Sequence, residues 1–197
     1  MFCALPFARK LACSPGIVQL TAAILGADCF AVRGILFDKT QRGNWKVPWH
    51  QDLTIAVRSK RDVAGFGPWS VKAGIPHVQA PPAVLERMLA VRIHLDDCGA
   101  GNGPLRVIPG SHRNGILSPT ETQTWCRQVP ARNCHVPRGG VLLMRPLLLH
   151  SSSEALVPSH RRVLHLEFAA TALPAGLEWH EHSDSPLEVR PASLSKA

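Results

Sequence analysis

The chain has 197 residues, of which 45% are hydrophobic, and a formal net charge of +8 from 22 Lys and Arg against 14 Asp and Glu. That length defaults to one domain, and the apolar content is sufficient for a core. The basic residues are dispersed, no basic run carries interleaved aromatics and Tyr is absent, which argues against nucleic-acid binding as the main role, and no apolar window is long enough to span a bilayer.

In chain order, residues 15–26 read as a short amphipathic helix ended by Gly26, and 31–37 as a strand. Residues 44–57 read as one strand. Residues 62–82, rich in Gly and Pro with little periodicity, read as a long loop with the character of a lid. A helical turn with Pro at its start is expected over 82–90, a strand over 89–95 and a turn over 96–104. A brief strand at 105–108 precedes the turn Pro109-Gly-Ser-His112, in which Ser111 and His112 shape the turn. A small helix is expected over 120–128, a tight turn at Gly139-Gly140, a strand over 141–150 and a last strand over 162–169. Beyond Pro174 the polar, Pro-containing tail, 174–197, is expected to be loosely held. Many short strands with Gly and Pro turns argue for a sandwich or jelly roll.

The most informative residues are His50-Gln51-Asp52. On a strand His50 and Asp52 share a face and Gln51 points away. An imidazole and a carboxylate so placed are two thirds of a facial iron site, and His150, at the end of the 141–150 strand, fits as the third ligand. Arg161 follows His150 by 11 positions and can form a bidentate fork with a carboxylate. Alternation from Arg161 places Val163, His165 and Glu167 on its face, with Leu164, Leu166 and Phe168 opposite. Either His165 and Glu167 line a polar pocket or they pair with each other or face solvent. His77 contacts substrate as part of a lid or is an exposed loop histidine. Trp45 and Trp49 read as packing residues and His94 as structural, while Lys39 and Lys46 either face anionic ligands or, as is commoner for lysine, are solvated.

With these pieces in place the sequence resembles bacterial members of the phytanoyl-CoA dioxygenase family of Fe(II)- and 2-oxoglutarate-dependent oxygenases. The resemblance runs from about Ala31 to Ala170. It rests on Phe37-Asp-Lys39, Asn44-Trp-Lys-Val-Pro-Trp-His-Gln-Asp52, Gly67-Pro-Trp-Ser-Val71, Arg92-Ile-His-Leu-Asp96, Asn102-Gly-Pro-Leu-Arg-Val-Ile-Pro-Gly-Ser-His112, His150-Ser-Ser152 and Arg161-Arg-Val-Leu-His-Leu-Glu-Phe168. It implies a mainly β fold with flanking helices, a double-stranded β-helix or jelly roll of the cupin-like kind. It implies that His50, Asp52 and His150 bind iron, that Arg161 holds the far carboxylate of 2-oxoglutarate and that Ser152 assists. With O2, such an enzyme hydroxylates an unactivated C–H bond of a small molecule and releases succinate and CO2. Related halogenases lack the carboxylate, so Asp52 implies hydroxylation. Family members carry a further stretch before the position of Met1, so the single domain over 1–197 is expected to be shortened at its N-terminus, without one edge strand of the main sheet.

Two other classes compete: a catalytically impaired or non-enzymatic metal-binding jelly roll, and a cupin-like protein with another metal and no 2-oxoglutarate, against which Arg161 argues. The substrate is not legible, though the basic residues hint at an anionic molecule; neither is the oligomeric state. The cysteines, Cys3, Cys13, Cys29, Cys98, Cys126 and Cys134, form no CxxC pair. Their irregular spacing and the lack of an export signal in the first residues favour free thiols in a reducing cytoplasm, with no membrane partner.

Overall fold

A computed structural model describes residues 6–183. Two short helices come first, α1 (Pro6–Ala12) and α2 (Pro15–Leu25). The latter begins on Pro15 and stops at Gly26, whose φ of 98° suits a residue without a Cβ. The strands follow: β1 (Phe30–Lys39), β2 (Val47–His50), β3 (Thr54–Ala56), β4 (Trp69–Lys72) and β5 (Ile75–Gln79). After α3 (Pro82–Leu85) come β6 (Met88–His94) and β7 (Leu105–Val107). Helix α4 (Pro119–Gln128), closed at its start by a reciprocal Ser118–Glu121 capping box, leads to β8 (Arg132–Cys134). The chain then forms β9 (Val141–Met144), β10 (His150–Ser152) and β11 (Arg161–Ala169).

All pairings are antiparallel. A four-stranded sheet in the order β1-β11-β6-β9 and a second in the order β2-β10-β7-β8 form the jelly roll, with a three-stranded sheet, β3-β5-β4, alongside. Strands β6 and β11 are buried on both faces apart from Arg162, because each face has a cover. Leu89, Val91, Ile93, Leu164, Leu166 and Phe168 pack outward against Ala8, Ala12 and Ile17 of the helices. The alternation read from Arg161 therefore holds, and the inner face carries Arg92, Arg161, His165 and Glu167. A larger core around Ile55, Val78, Leu85, Leu147 and Trp179 fills one end of the molecule. No helix among the described residues is long and apolar enough to cross a membrane, and the five cysteines within them are free.

Four expectations need correction. The 44–57 segment is two strands: Gln51–Leu53 leaves the ladder, and Asp52 N–H donates to Pro146 O instead. The 141–150 segment is also two strands in different sheets, because Pro146 has no N–H for a ladder and the chain turns there. The 62–82 segment contains a hairpin, β4 to β5, whose two-residue turn is Ala73-Gly74 at φ 50° and 77°. Finally, residues 174–183 do not hang free. Val57 bridges Trp179, His180 N–H donates to Ala56 O and Ser183 N–H to Ala31 O, with Leu177 and Trp179 in the core. The signal was there in the spacing of Leu177 and Trp179 on one face. The rest of the tail, 184–197, and Cys3 lie outside the described residues.

One surface contact fixes the start of β11. Asp96 accepts from Arg162 Nε at 2.9 Å, from Nη2 at 2.7 Å and from the Arg162 backbone N–H at 2.8 Å. These bonds, the side-chain ones above all, hold the Asp96 carboxyl down at about 2 against the opposing effect of burial. A depressed carboxyl contributes stability above its unfolded value and loses it as pH falls through the folded one. Arg162 is half exposed, so solvent screening keeps the contribution small. The expected result is that urea midpoints of wild type and Asp96→Asn differ at pH 6 and converge as pH falls from about 4 towards 2.

Candidate active site

Pairing of β2 with β10 sets His50 directly opposite His150. Cross-strand neighbours are within side-chain reach, and the two ring centroids are 4.1 Å apart. His50 Nδ1 donates to Pro48 O at 2.9 Å, and His150 Nδ1 donates to Leu148 O at 2.8 Å. A carbonyl only accepts, so in the neutral ring each Nδ1 carries the proton and each Nε2 keeps its lone pair. Both Nε2 atoms face one carboxylate: His50 Nε2 is 3.6 Å from Asp52 Oδ1, and His150 Nε2 is 3.6 Å from Oδ2. One ligand atom from each residue lies within 4.8 Å of the others.

The electrostatics suit a cation at this point. Burial opposes the Asp52 carboxylate, yet the adjoining His50 imidazole and the nearby charges of His150 and His165 hold its pKa well below the usual range. Burial lowers the His50 pKa, but Asp52 and the Pro48 carbonyl raise it above its ordinary value. Burial pushes His150 down to about 4 against the pull of Asp52, so it is neutral at pH 7. An anionic carboxylate and two imidazoles with carbonyl-anchored Nδ1–H groups form the donor set of a mononuclear iron site, and the residues fit that metal.

The supports of the triad are non-local. Gln51, pointing away from its neighbours as expected, is buried; its Nε2 donates to Gly115 O at 2.9 Å and Leu147 O at 2.7 Å, and its Oε1 accepts from Leu117 N–H at 2.8 Å. Ser111 Oγ accepts from Leu149 N–H at 2.9 Å and donates to Ile108 O at 2.8 Å, fixing the residue before His150. Gln51 was legible only as the residue facing away. Ser111 was legible only as a turn residue.

A second cluster lies where β11 begins. Arg161 is 4% exposed, its Nη1 donates to Gly103 O and its Nε has no hydrogen-bond partner. Lys39 stands opposite it in the β1–β11 register. The expectation of a solvated lysine fails here: Lys39 is 1% exposed, and its Nζ donates to Ser152 Oγ at 3.2 Å and to Ser153 O. Burial and then the Arg161 charge push its ammonium down to about 8. Buried, incompletely paired cations are costly, so this end of the site is built for an anion. The triad, Arg161 and Ser152 line one cavity of about 630 Å³, together with Phe37, Trp45, Arg92, His165 and Glu167.

Gly103 carries part of this geometry. At its φ of 68° an added Cβ would lie 2.5 Å from Ser153 O. Gly103→Ala should lower stability by about 2 kcal/mol or more, combining the positive-φ penalty with the clash, and should displace the carbonyl that seats Arg161. Urea unfolding and the affinity for the co-substrate check the two parts separately.

His165 and Glu167 satisfy both earlier readings at once: they line the cavity, and His165 Nε2 lies 3.5 Å from Glu167 Oε1. Arg92 Nη1 donates to His165 Nδ1 at 3.0 Å, and Glu167 Oε1 also accepts from Arg33 at 3.2 Å. His77 is no exposed loop residue; it is 2% exposed on β5. His94 is buried beside Arg92, its ring nitrogens without partners, and burial and the arginine charges lower it to about 4. Trp45 lines the cavity, while Trp49 lies under the Arg106 guanidinium, 5.3 Å from it.

Among proteins of known activity the chain is similar to L-proline trans-4-hydroxylase of Streptomyces griseoviridis, with 27% identity over 76% of this chain and 58% of that protein. It is also 27% identical to ectoine dioxygenase of Bordetella parapertussis, over 59% of this chain and 31% of that one. Among solved structures it is similar to AviO1 from Streptomyces viridochromogenes Tue57, with 25% identity, a TM-score of 0.59 and coverage of 84% and 62%. EctD from S. alaskensis shares the fold at 19% identity, with a TM-score of 0.64 and coverage of 86% and 55%. The chain thus spans less than two thirds of these relatives. The model of one family, phytanoyl-CoA dioxygenase, matches residues 4–163, a span that takes in β1 to β10, the facing histidines, Asp52 and Arg161. The chain belongs to the phytanoyl-CoA dioxygenase family.

Proposed function

We propose that the protein is an Fe(II)- and 2-oxoglutarate-dependent dioxygenase that hydroxylates an unactivated C–H bond of a small organic molecule. The observation that carries this reading is the joint presence, in one cavity, of the His50–Asp52–His150 donor set and a buried, incompletely paired Arg161. A metal-binding jelly roll without a co-substrate has no use for the second feature. The named activities of the relatives, L-proline hydroxylation and ectoine dioxygenation, support the same class.

On this reading His50 Nε2, Asp52 and His150 Nε2 hold the iron on one side and leave its other side to the cavity. Arg161 holds the far carboxylate of 2-oxoglutarate, with Ser152 offering its hydroxyl and Lys39 completing the cationic end. Bound iron with 2-oxoglutarate and O2 supplies the oxidising power, and succinate and CO2 leave as co-products. The protein's own work is to orient these groups and the substrate. Buried Gln51 and Ser111 keep the two ligand-bearing segments in place, and the layered sheets exclude bulk water from the inner wall. The basic balance of the chain favours an anionic substrate. Incubation of the purified protein with Fe(II), 2-oxoglutarate and O2 tests the activity. Succinate formation that needs all three supports the reading, and none from a folded protein sinks it.

A further inference from the structure

Two buried arginines, Arg92 and Arg161, line the main cavity, 7% and 4% exposed. The other Lys, Arg, Asp and Glu among its described lining residues are Arg33, Asp52, Lys72 and Glu167. Arg33 is paired with Glu167 at 3.2 Å, and Asp52 faces the two histidine Nε2 atoms. Lys72 is exposed, donates to the Thr54 hydroxyl and borders a side cavity that Glu181 also lines. Among the described residues no carboxylate pairs with either buried arginine.

The two arginines are held alike. Each commits Nη1 to the protein, Arg161 to Gly103 O and Arg92 to His165 Nδ1 at 3.0 Å. In each, Nε is sealed without a partner, whereas Nη2 makes no hydrogen bond and is not sealed. One N–H edge of each guanidinium is thus offered to the cavity. His165 and Phe37 fix Arg92 in this pose. The His165 Nδ1 accepts, so the neutral ring carries its proton on Nε2, which faces Glu167 Oε1 at 3.5 Å. The Arg92 guanidinium lies 5.6 Å from the centre of the Phe37 ring. Burial lowers its pKa to about 10, so it is still a cation at pH 7, and the next charges it feels are those of Asp52 and Arg161. Register sets Arg92 opposite His165, four residues along β11 from Arg161, or about 13 Å of strand. Arg92 therefore reaches the cavity on the side of the iron ligands and Arg161 at its other end.

We propose that Arg92 is a second co-substrate arginine, whose Nη2 edge binds the carboxylate that 2-oxoglutarate places on the iron while Arg161 takes the far one. The inference rests on the iron and 2-oxoglutarate reading and adds a binding residue to it. With Asp52 engaged by iron, Arg92 is a buried cation without an anion of its own, which is costly. A dicarboxylate supplies one negative charge for each arginine and uses the free edge of each.

The test compares 2-oxoglutarate with 2-oxopentanoate, which keeps the iron-binding end and lacks the far carboxylate. Both are titrated anaerobically into the Fe(II)-loaded wild type, Arg92→Gln, Arg92→Lys and Arg161→Ala, and binding is read from the visible band of the iron chelate. Glutamine still donates to His165 Nδ1, so Arg92→Gln removes the charge and keeps the anchor. It should weaken both ligands by the same factor, on the order of tenfold to a hundredfold. Arg161→Ala should weaken 2-oxoglutarate alone. Arg92→Lys keeps the charge and loses the planar edge, so it should weaken both ligands equally by a smaller factor, and it carries the test if Arg92→Gln does not fold. Co(II) added without either ligand, a visible probe of the His50–Asp52–His150 set, should bind the Arg92 variants as it binds wild type. The proposal is overturned if the Arg92 variants bind both ligands as wild type does, if they weaken 2-oxoglutarate alone, or if their Co(II) binding falls in step with ligand binding, which would make Arg92 a support of the triad. In each of these cases the wild-type band keeps the cofactor reading. A folded wild type that gives no band would remove that reading and the inference together.

Discussion

His150→Ala should bring succinate release down to the level of the protein-free control, a loss of more than about 100-fold, the upper end for removing a group that merely supports a metal ligand. The expectation follows from the position of the residue. His150 is 4% exposed, its Nδ1 is anchored on Leu148 O, and its Nε2 faces Asp52 Oδ2 at 3.6 Å. Without it, two protein donors remain on one side of the metal. The imidazole lines an existing cavity, so truncation enlarges that space and leaves no new void in a packed core. The fold should persist, and circular dichroism with urea unfolding separates lost chemistry from lost structure. A variant with full activity would show that another group supplies the third ligand.

Arg161→Ala should raise the apparent KM for 2-oxoglutarate by about two orders of magnitude, with kcat at saturating 2-oxoglutarate changed much less. A two-pronged charge-assisted contact contributes roughly 3 kcal/mol, and a group that grips the far end of a co-substrate contributes equally before and during the reaction. Arg161→Lys should recover only part of the affinity, since an ammonium cannot form the planar fork. Lys39 stands beside it and cannot substitute, being already engaged by Ser152 Oγ and the Ser153 carbonyl. Equal kcat loss in Arg161→Ala with unchanged KM would contradict the role given to this residue.

The parts of this site that the sequence disclosed are those set by local periodicity. Strand β11 is unbroken, so alternation alone sorted Arg161, His165 and Glu167 from Leu164, Leu166 and Phe168. His50 and Asp52 were found because only one residue separates them. What stayed hidden depends on distant partners. The chain leaves its ladder at Gln51 because Asp52 N–H is taken by Pro146 O, nearly a hundred residues away. Alternation has no means of showing that break. Pro146, by contrast, was a visible sign that 141–150 could not be one ladder strand. The hairpin at Ala73-Gly74 was read as loop because 62–82 is rich in Gly and Pro with little periodicity, and Ala73, at φ 50°, is an uncommon residue for such a turn. Lys39 looked solvated, as most lysines are, and only the β1–β11 register shows that it stands beside Arg161.

An anaerobic titration addresses the central claim most directly. Fe(II) and then 2-oxoglutarate are added to the apoprotein while the visible spectrum is followed. The account predicts a charge-transfer band that requires both additions, is absent in His150→Ala and needs far more 2-oxoglutarate in Arg161→Ala. A folded wild-type protein that gives no band, or a band indifferent to both substitutions, would contradict it.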